Sequence, residues 1–415
     1  MGNLKKVPEI RFPEFKKDWE SKKFGDLTER VSKPVAVEKN KMYQQIGIRS
    51  HGKGIFHKEL VTGKSLGNKR VFWVQENCLI VNIVFAWEQA VAQTTDNERG
   101  MIASHRFPMY VPKENKSHVD YLLHFFLTTK GKKLLNLASP GGAGRNKTLG
   151  QKEFEKLNFL IPEQKEQQKI AQFLSTVNRK ITQLNDKLNL LEQYKKGVLQ
   201  ELFSQELRFK DDNGKEFPKW EKKKLGEIGI FQTSSVDKLY NEGEKEVFLV
   251  NYMNVYRHES INSDTISKLQ ITTARESQIS SNNLKKGDIL FTPSSETPLD
   301  IGHSVVIFED LKDCVYSYHL IRFRPTKTID ILYSHYFCNV KGVLKQFSKL
   351  ATGSTRFTIS IKSFSSIEVS LPSLKEQVKI ASFLSKIDEK INQIKTQIEQ
   401  TQEWKKGLLQ KMFIQ

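Results

Sequence analysis

Two glycine turns hold the side chains best suited to chemistry in this chain. GAGRNK carries Arg145, Asn146 and Lys147, and TGSTRF carries Ser354, Thr355 and Arg356. Arg and Asn pair bidentately with guanine and adenine edges in the major groove. Glycine lets a backbone approach closely, and Ser, Thr and Lys suit phosphate oxygens. Two further stretches have the same character: IRSHGKG, with Arg49, Ser50, His51 and Lys53, and TPSSET, with Ser294, Ser295 and Thr297. His105 in SHRF and His319 in YHLI each precede a final strand, where DNA contact and a structural hydrogen bond are both open, the second being the commoner use. Any one of these residues alone reads as a solvated loop. Together, in a chain of formal net charge +19, they favour a nucleic-acid surface.

Catalytic patterns fail on their spacing. TGKS at Thr62–Ser65 ends like a phosphate loop, but Lys58 stands where that motif needs its first glycine. HGKG at His51–Gly54 lacks the third glycine and the strand-to-helix setting of a dinucleotide fingerprint. EQK at Glu163–Lys165 fits a nuclease-like Glu-x-Lys, a tripeptide common by chance, and it falls in a helical repeat. The Asn/Asp-Pro-Pro-aromatic run of an amino-methyltransferase does not occur, nor do Cys-x-x-Cys or His-Glu-x-x-His. Cys78, Cys314 and Cys338 are scattered and odd in number, which predicts small buried thiols in a reducing cytoplasm. No apolar run approaches the roughly 18 residues that span a bilayer, so no membrane partner is expected. The opening MGNLKKVPEIRF has no signal-peptide core, and Lys6 stands where a myristoylation signal wants Ser or Thr.

The bulk properties agree. Lys and Arg outnumber Asp and Glu by 66 to 47, and an excess of this size favours a polyanionic partner over a merely soluble basic surface. The 415 residues allow about two to four domains.

What must position these loops is written twice. PEQKEQQKIAQFLSTVNRKITQ from Pro162 returns as PSLKEQVKIASFLSKIDEKINQ from Pro372, and YKKGVLQELFSQ from Tyr194 returns as WKKGLLQKMFIQ from Trp404. One ungapped offset of 210 residues covers Pro162–Gln205, with about 20 of 44 positions identical. Apolar residues recur at three- and four-residue steps, from Ile170 to Leu202 and from Ile380 to Met412. Both stripes predict amphipathic helices with a narrow seam that pair as an antiparallel coiled coil. Val198, Leu202, Leu408 and Met412 should face the partner helix. Glu166 and Glu376 suit the positive end of the first helical turn. Lys195 and Lys405 fall on the seam, either fixing register or snorkelling to solvent. Phe173, Tyr194, Phe203, Phe383, Trp404 and Phe413 flank the seam, where they either meet a further partner or pack on neighbouring domains of the same chain.

Each helical block follows about 160 residues of mixed α/β pattern. The edges of these modules resemble each other: WESKKFGDL matches WEKKKLGEI, and KTLGQKEFEKLNFLIP matches FTISIKSFSSIEVSLP. KMYQQIGIRS, VFLVNYMNVY, CLIVNIVFAW, GDILFTPSS, HRFPMYVP and HLIRFRP read as strands. HVDYLLHFFLTTKGKKLLNLA and LYSHYFCNVKGVLKQFSKLA each read as a helix before its glycine turn. The expected layout is residues 1–160 as a first recognition domain, 161–207 as a central helical spacer, 208–370 as a second recognition domain and 371–415 as a C-terminal helical region.

LPSLKEQVKIASFLSKIDEKI, GDILF (Gly287–Phe291) and GSTRFTI, with both helical copies and both module edges, resemble the specificity subunit of type I restriction-modification systems. The resemblance covers nearly the whole chain. It implies two pseudo-symmetric target-recognition domains, each reading one half of a split asymmetric site in double-stranded DNA. It implies long helices paired as an antiparallel coiled coil and two methyltransferase subunits docked on the chain, with the flanking aromatics as candidate seats. S-adenosylmethionine would then belong to those subunits. ATP and Mg would belong to a restriction subunit, a translocase and nuclease. This chain itself would bind no cofactor or metal and catalyse nothing. Departures fall at two turns. The first domain has ENCLIVNI (Glu76–Ile83) where the second has the Gly-Asp turn, so that loop is expected to be shaped differently, and GAGRNKTL lacks the Ser-Thr of GSTRFTI.

A helix from Thr176 to Gln205 would span about 45 Å at 1.5 Å per residue. That matches roughly 13 base pairs of duplex, so the half-sites should lie about one helical turn apart. Two rivals remain: a two-headed coiled-coil adaptor that binds proteins, and a stand-alone DNA-modifying enzyme.

Overall fold

The computed structural model describes residues 7–141 and 147–414. It divides into two compact units, Met1–Asp186 with Lys395–Gln415, and Lys187–Ile394. Both are mixed α/β, and each takes part of both long helices, Gln164–Ser204 and Leu374–Lys411. Among the described residues no helix is long and apolar enough to cross a membrane.

The first unit holds two four-stranded sheets. In one, all antiparallel, the order is Thr28–Val31, Met109–Pro112, Leu79–Val81, Val91–Gln93. In the other it is Ile55–Thr62, Met42–Ile48, Ile102–Ser104, Val71–Trp73, with the central pair parallel. The second unit repeats the plan with Gly229–Thr233, Ile321–Pro325, Ile289–Phe291, Ser304–Val306, and with Gln270–Ala274, Lys245–Val250, Cys314–Tyr316. The matching edges seen in the sequence are clasps. Glu20–Lys23 pairs antiparallel with Asn158–Ile161, and Glu221–Lys224 with Glu368–Leu371, so the start and end of each recognition segment are tied together. All three cysteines are free and buried, as their scatter predicts.

The long helices begin with Glu166 and Glu376 in their first turns, as expected, and those turns are structural anchors. Glu166 is wholly buried and accepts two guanidinium hydrogen bonds from Arg11, at 2.7 Å each. That bond raises the pKa of Arg11 above the usual guanidinium value. Glu376 is equally buried and is held by Arg208 at 3.2 and 2.8 Å. The neighbouring glutamines do the same twice: Gln167 takes the His118 N–H and donates to the Pro162 carbonyl, and Gln377 takes the Asp330 N–H and donates to the Pro372 carbonyl. The repeated Glu-Gln is thus a pair of buried clamps. They suit the helix dipole, and they also fix each helix start to its own domain. The clamping Arg-Phe is itself written twice, since Phe12 meets Phe173 edge-on and Phe209 meets Phe383.

The helices pair antiparallel. In the first unit Ile170, Ala171, Leu174 and Val177 share a core with Leu408, Met412 and Phe413. In the second, Val198 and Leu202 share one with Ile380, Ala381, Leu384, Ile387 and Ile391. The four seam residues named from periodicity are all buried. Lys195 is half-buried, and its ammonium lies 2.5 Å from Asp388 Oδ1, while Asp388 Oδ2 accepts from the Tyr336 hydroxyl at 2.8 Å. Lys405, its repeat counterpart, is pushed down in pKa by burial. Asn178 occupies the position equivalent to Asp388, so the two seam lysines sit in different electrostatic settings.

Several local expectations are revised. Each helix expected before a glycine turn is two: Val119–Phe126 and Thr129–Leu137, then Ile331–Phe337 and Lys341–Leu350. The first break lies at Thr128, whose hydroxyl caps the new helix by accepting from Gly131 N–H at 3.0 Å. VFLVNYMNVY is strand only to Val250; the Asn251 N–H then donates to Asn254 Oδ1 at 2.8 Å, and Tyr252–Tyr256 turns helical. The Gly-Asp turn has a counterpart after all. Asn77 (φ 53°) takes the left-handed position of Gly287 (φ 88°), a conformation asparagine tolerates better than most residues. What the first domain lacks is the charge: buried Asp288 is clamped by Arg324 at 2.6 Å twice, and Cys78 stands in its place.

Candidate nucleic-acid interface

In the second domain the strand Ile289–Phe291 runs out into the Thr292–Gly302 loop, which carries TPSSET. Ser294–Ser295 pairs antiparallel with Phe357–Thr358, the outgoing arm of the TGSTRF turn. That turn is closed by reciprocal Thr352–Thr358 backbone hydrogen bonds at 3.0 and 2.9 Å. Gly353 (φ 139°) is required, because a Cβ there would sit 2.1 Å from the Arg356 carbonyl oxygen. The result is one continuous edge. Ser354, Thr355, Arg356 and Thr297 are exposed on it, and Arg356 Nη2 reaches Ser294 Oγ at 3.2 Å. Ser295 is different from the others. It is buried, and its hydroxyl accepts from Thr297 N–H, so it shapes the loop instead of facing outward. His319 is half-buried beside Tyr318, its ring centroid 3.9 Å away. Burial, then the charges of Lys238 and Arg356, hold its pKa low, so it faces this surface as a neutral imidazole at neutral pH.

The first domain assembles a related but looser surface. Arg49–Lys53 forms the turn of the hairpin Met42–Ile48/Ile55–Thr62, with His51 in the left-handed region (φ 59°). His51 and Gly52 donate their backbone N–H groups to the Glu88 and Gln89 carbonyls, and Ser50 Oγ donates to the Glu88 carboxylate at 3.0 Å. Arg49 lies over the Phe56 ring at 4.7 Å, while His51 and Lys53 are exposed. Lys147 joins from the other side, its ammonium 5.7 Å from the Trp87 ring and 2.9 Å from Asn136 Oδ1. Arg145 and Asn146 lie outside the described residues. His105 is exposed in the turn after Ile102–Ser104, the topological counterpart of His319 after Cys314–Tyr316.

Sequence reasoning missed the aromatic and histidine support behind these loops. Tyr252 donates its hydroxyl to the Ser294 carbonyl at 2.8 Å and stacks on Tyr256. Tyr256 in turn donates to Asp300 at 2.9 Å. In the first domain Trp87 meets the Lys147 ammonium, and Phe85 is exposed. Residue type was the only available signal, because partners 42 and 44 positions apart share no local pattern.

The flanking aromatics separate into two groups. Phe413 is buried against Tyr121 and Phe125, and Phe203 is stacked on Tyr333 and edge-on to Trp220. Phe173 and Phe383 are half-buried against Phe12 and Phe209. These four serve their own domains; in particular, Phe413 has no free face for a partner, contrary to the expectation of a docking seat. Tyr194 and Trp404, equivalent in the repeat, are each 52% exposed, although Trp404 also lies edge-on to Phe173.

The comparisons bear on this arrangement directly. A family model described as the type I restriction modification DNA specificity domain matches residues 16–193 and again 218–402. The specificity subunit of the type I restriction enzyme MjaVIII from Methanocaldococcus jannaschii is 25% identical over 433 aligned residues, covering 98% of this chain and 94% of its own. Among solved structures, the type I restriction-modification S subunit from M. genitalium matches with a TM-score of 0.56 at 14% identity, covering 98% of this chain and 99% of its own. The HsdS subunit from Thermoanaerobacter tengcongensis matches with a TM-score of 0.50 at 15% identity and 95% coverage of both chains. These two likenesses speak to the fold. With the family description matched twice along one chain, the protein belongs to the type I restriction-modification DNA specificity family and is a specificity subunit with two tandem target-recognition domains.

Proposed function

We propose that the two recognition domains, 1–160 and 208–370, each read one half of a split, asymmetric site in double-stranded DNA. The helical segments 161–207 and 371–415 set the spacer between the halves. The observation that carries this reading is the joined edge of TPSSET and TGSTRF, where Arg356 stands exposed beside Ser294, next to the two-stranded pair of Ser294–Ser295 with Phe357–Thr358. A guanidinium presented on such an edge is suited to bidentate pairing with a guanine. The exposed hydroxyls of Thr297, Ser354 and Thr355 suit phosphates. In the first domain Arg49, His51, Lys53, His105 and Lys147 take the corresponding part, with Arg145 and Asn146 in the adjoining turn.

Two methyltransferase subunits dock on the helical pair, one at Tyr194 and one at Trp404, whose identical exposure at repeat-equivalent positions suits two copies of one partner. Those subunits supply S-adenosylmethionine and the methyl transfer, and restriction subunits supply ATP- and Mg-dependent translocation and cleavage. The chain contributes specificity and no catalytic step, and it works in the cytoplasm, where its DNA is. The test is reconstitution with the methyltransferase subunit of the same system, followed by sequencing of the methylated DNA. A split motif methylated only by the assembled complex is the expected result. Methyl transfer by the chain alone, or an unsplit motif, would contradict the reading.

A further inference from the structure

Behind the Thr292–Gly302 loop runs a line of hydrogen bonds whose protons can be counted. Asp300 Oδ1 meets His303 Nε2 at 2.8 Å, His303 Nδ1 meets His258 Nε2 at 3.1 Å, and His258 Nδ1 meets the Ser304 carbonyl at 3.1 Å. Both ends of the line, a carboxylate and a backbone carbonyl, only accept. The outer ring nitrogens, His303 Nε2 and His258 Nδ1, must therefore each carry a hydrogen. The central contact between the two rings needs one more. Three ring hydrogens are thus required on two imidazoles, whereas two neutral imidazoles bring only two. The line is complete only when the pair holds one extra proton, balanced by Asp300.

The surroundings fit that state. The second Asp300 oxygen accepts from Tyr256 at 2.9 Å, and the Tyr256 ring lies edge-on to His303 at 4.8 Å. Burial lowers the pKa of His258, and the hydrogen bond from His303 lowers that of Asp300, which keeps a carboxylate charge at that end of the line. The other titratable groups in range are Glu296 from the loop, His335 from the helix Ile331–Phe337, and Arg356, which faces Tyr252.

The line ties Asp300 of the loop to His303 at its base, where main-chain hydrogen bonds close the loop. His303 O accepts from Thr292 N–H at 3.0 Å, and Gly302 N–H donates to Thr292 O at 3.1 Å. Tyr252, stacked on Tyr256, grips the Ser294 carbonyl. We propose that His303 is a positioning residue for the second half-site: sharing one proton with His258 between Asp300 and Ser304, it seats the Thr292–Gly302 loop, and reading of that half-site weakens as the shared proton is lost with rising pH. This rests on the reading that the second domain recognises one half-site.

Two measurements test it. In the full chain with 15N-labelled histidine, the pair should show three ring N–H groups at low pH and lose one on titration. In the assembled methyltransferase complex, methylation of sites mutated separately in each half is followed from about pH 5.5 to about pH 9, the range in which an imidazole changes charge. Discrimination at the second half-site should fall about tenfold across the titration, as expected for loss of one charge-assisted hydrogen bond, while the first half-site stays level. His303→Gln should flatten the profile. Asp300→Asn, which keeps an acceptor but removes the balancing charge, should move the loss to lower pH. A level second-half profile in the unaltered chain, or an unchanged profile in His303→Gln, would overturn the proposal while leaving half-site reading intact. Loss of discrimination at both halves at every pH would instead overturn the underlying reading and this proposal with it.

Discussion

Removing Arg208 should destabilise the second unit strongly. Glu376 is wholly buried, whereas Arg208 keeps 25% of its side-chain exposure. Arg208→Met therefore leaves an uncompensated carboxylate inside the protein, and such a change costs about 3 kcal/mol or more. Glu376→Gln leaves the guanidinium able to reach water and its remaining acceptors, the Phe217 and Pro218 carbonyls, so it should cost only about 1 kcal/mol. The double variant should recover about 2 kcal/mol relative to Arg208→Met, because the stranded charge is gone. Trp220 is the only tryptophan between residues 187 and 394, and it lies edge-on to Phe203 near the end of the central helix. Its fluorescence during urea unfolding therefore reports on this unit. A double variant no more stable than Arg208→Met would refute the claim that the buried charge, and not lost packing, sets the cost.

Three further outcomes follow from the same structure. Burial, then the Lys405 charge, holds His124 down at about 4, below its unfolded value of about 6.5, so the unfolded state binds the proton first as pH falls. Stability of the first unit should be level above about pH 6.5 and decline by roughly 3 kcal/mol towards pH 4; His124→Phe, monitored by chemical unfolding at several pH values, should flatten that decline. Inserting four residues, about one helical turn, into one long helix should lengthen the recognised spacer by a base pair or so, and mapping of methylated sites would reveal it. DNA affinity should fall steeply with salt as phosphate-bound cations displace counterions, measured as the slope of log affinity against log salt.

The duplication was legible because one offset of 210 residues ties helices and module edges together, and a seam of period 3.5 to 3.6 fixes which residues face the partner helix. Val198, Leu202, Leu408 and Met412 are buried for that reason. The clamps on Glu166 and Glu376 were half legible. Their carboxylates keep the offset, but the arginines that hold them, Arg11 and Arg208, do not, because both the linkers leading into the two domains and the domain interiors differ in length. Phe413 shows the limit of periodicity. A residue flanking the seam is available to a partner only if its own domain leaves it uncovered, and here Tyr121 and Phe125 cover it. The site loops were legible by residue type alone. That TPSSET and TGSTRF share an edge is a consequence of sheet topology, joining residues 62 positions apart. The His258–His303 pair, 45 positions apart, is invisible for the same reason.

The most direct test of half-site division compares the methylated motif of the complex built on the unaltered chain with that built on Arg356→Ala. One bidentate base contact is worth about 1 to 3 kcal/mol of discrimination. The account predicts relaxed sequence preference at one half of the split motif and an unchanged other half. Equal weakening of both halves would contradict it.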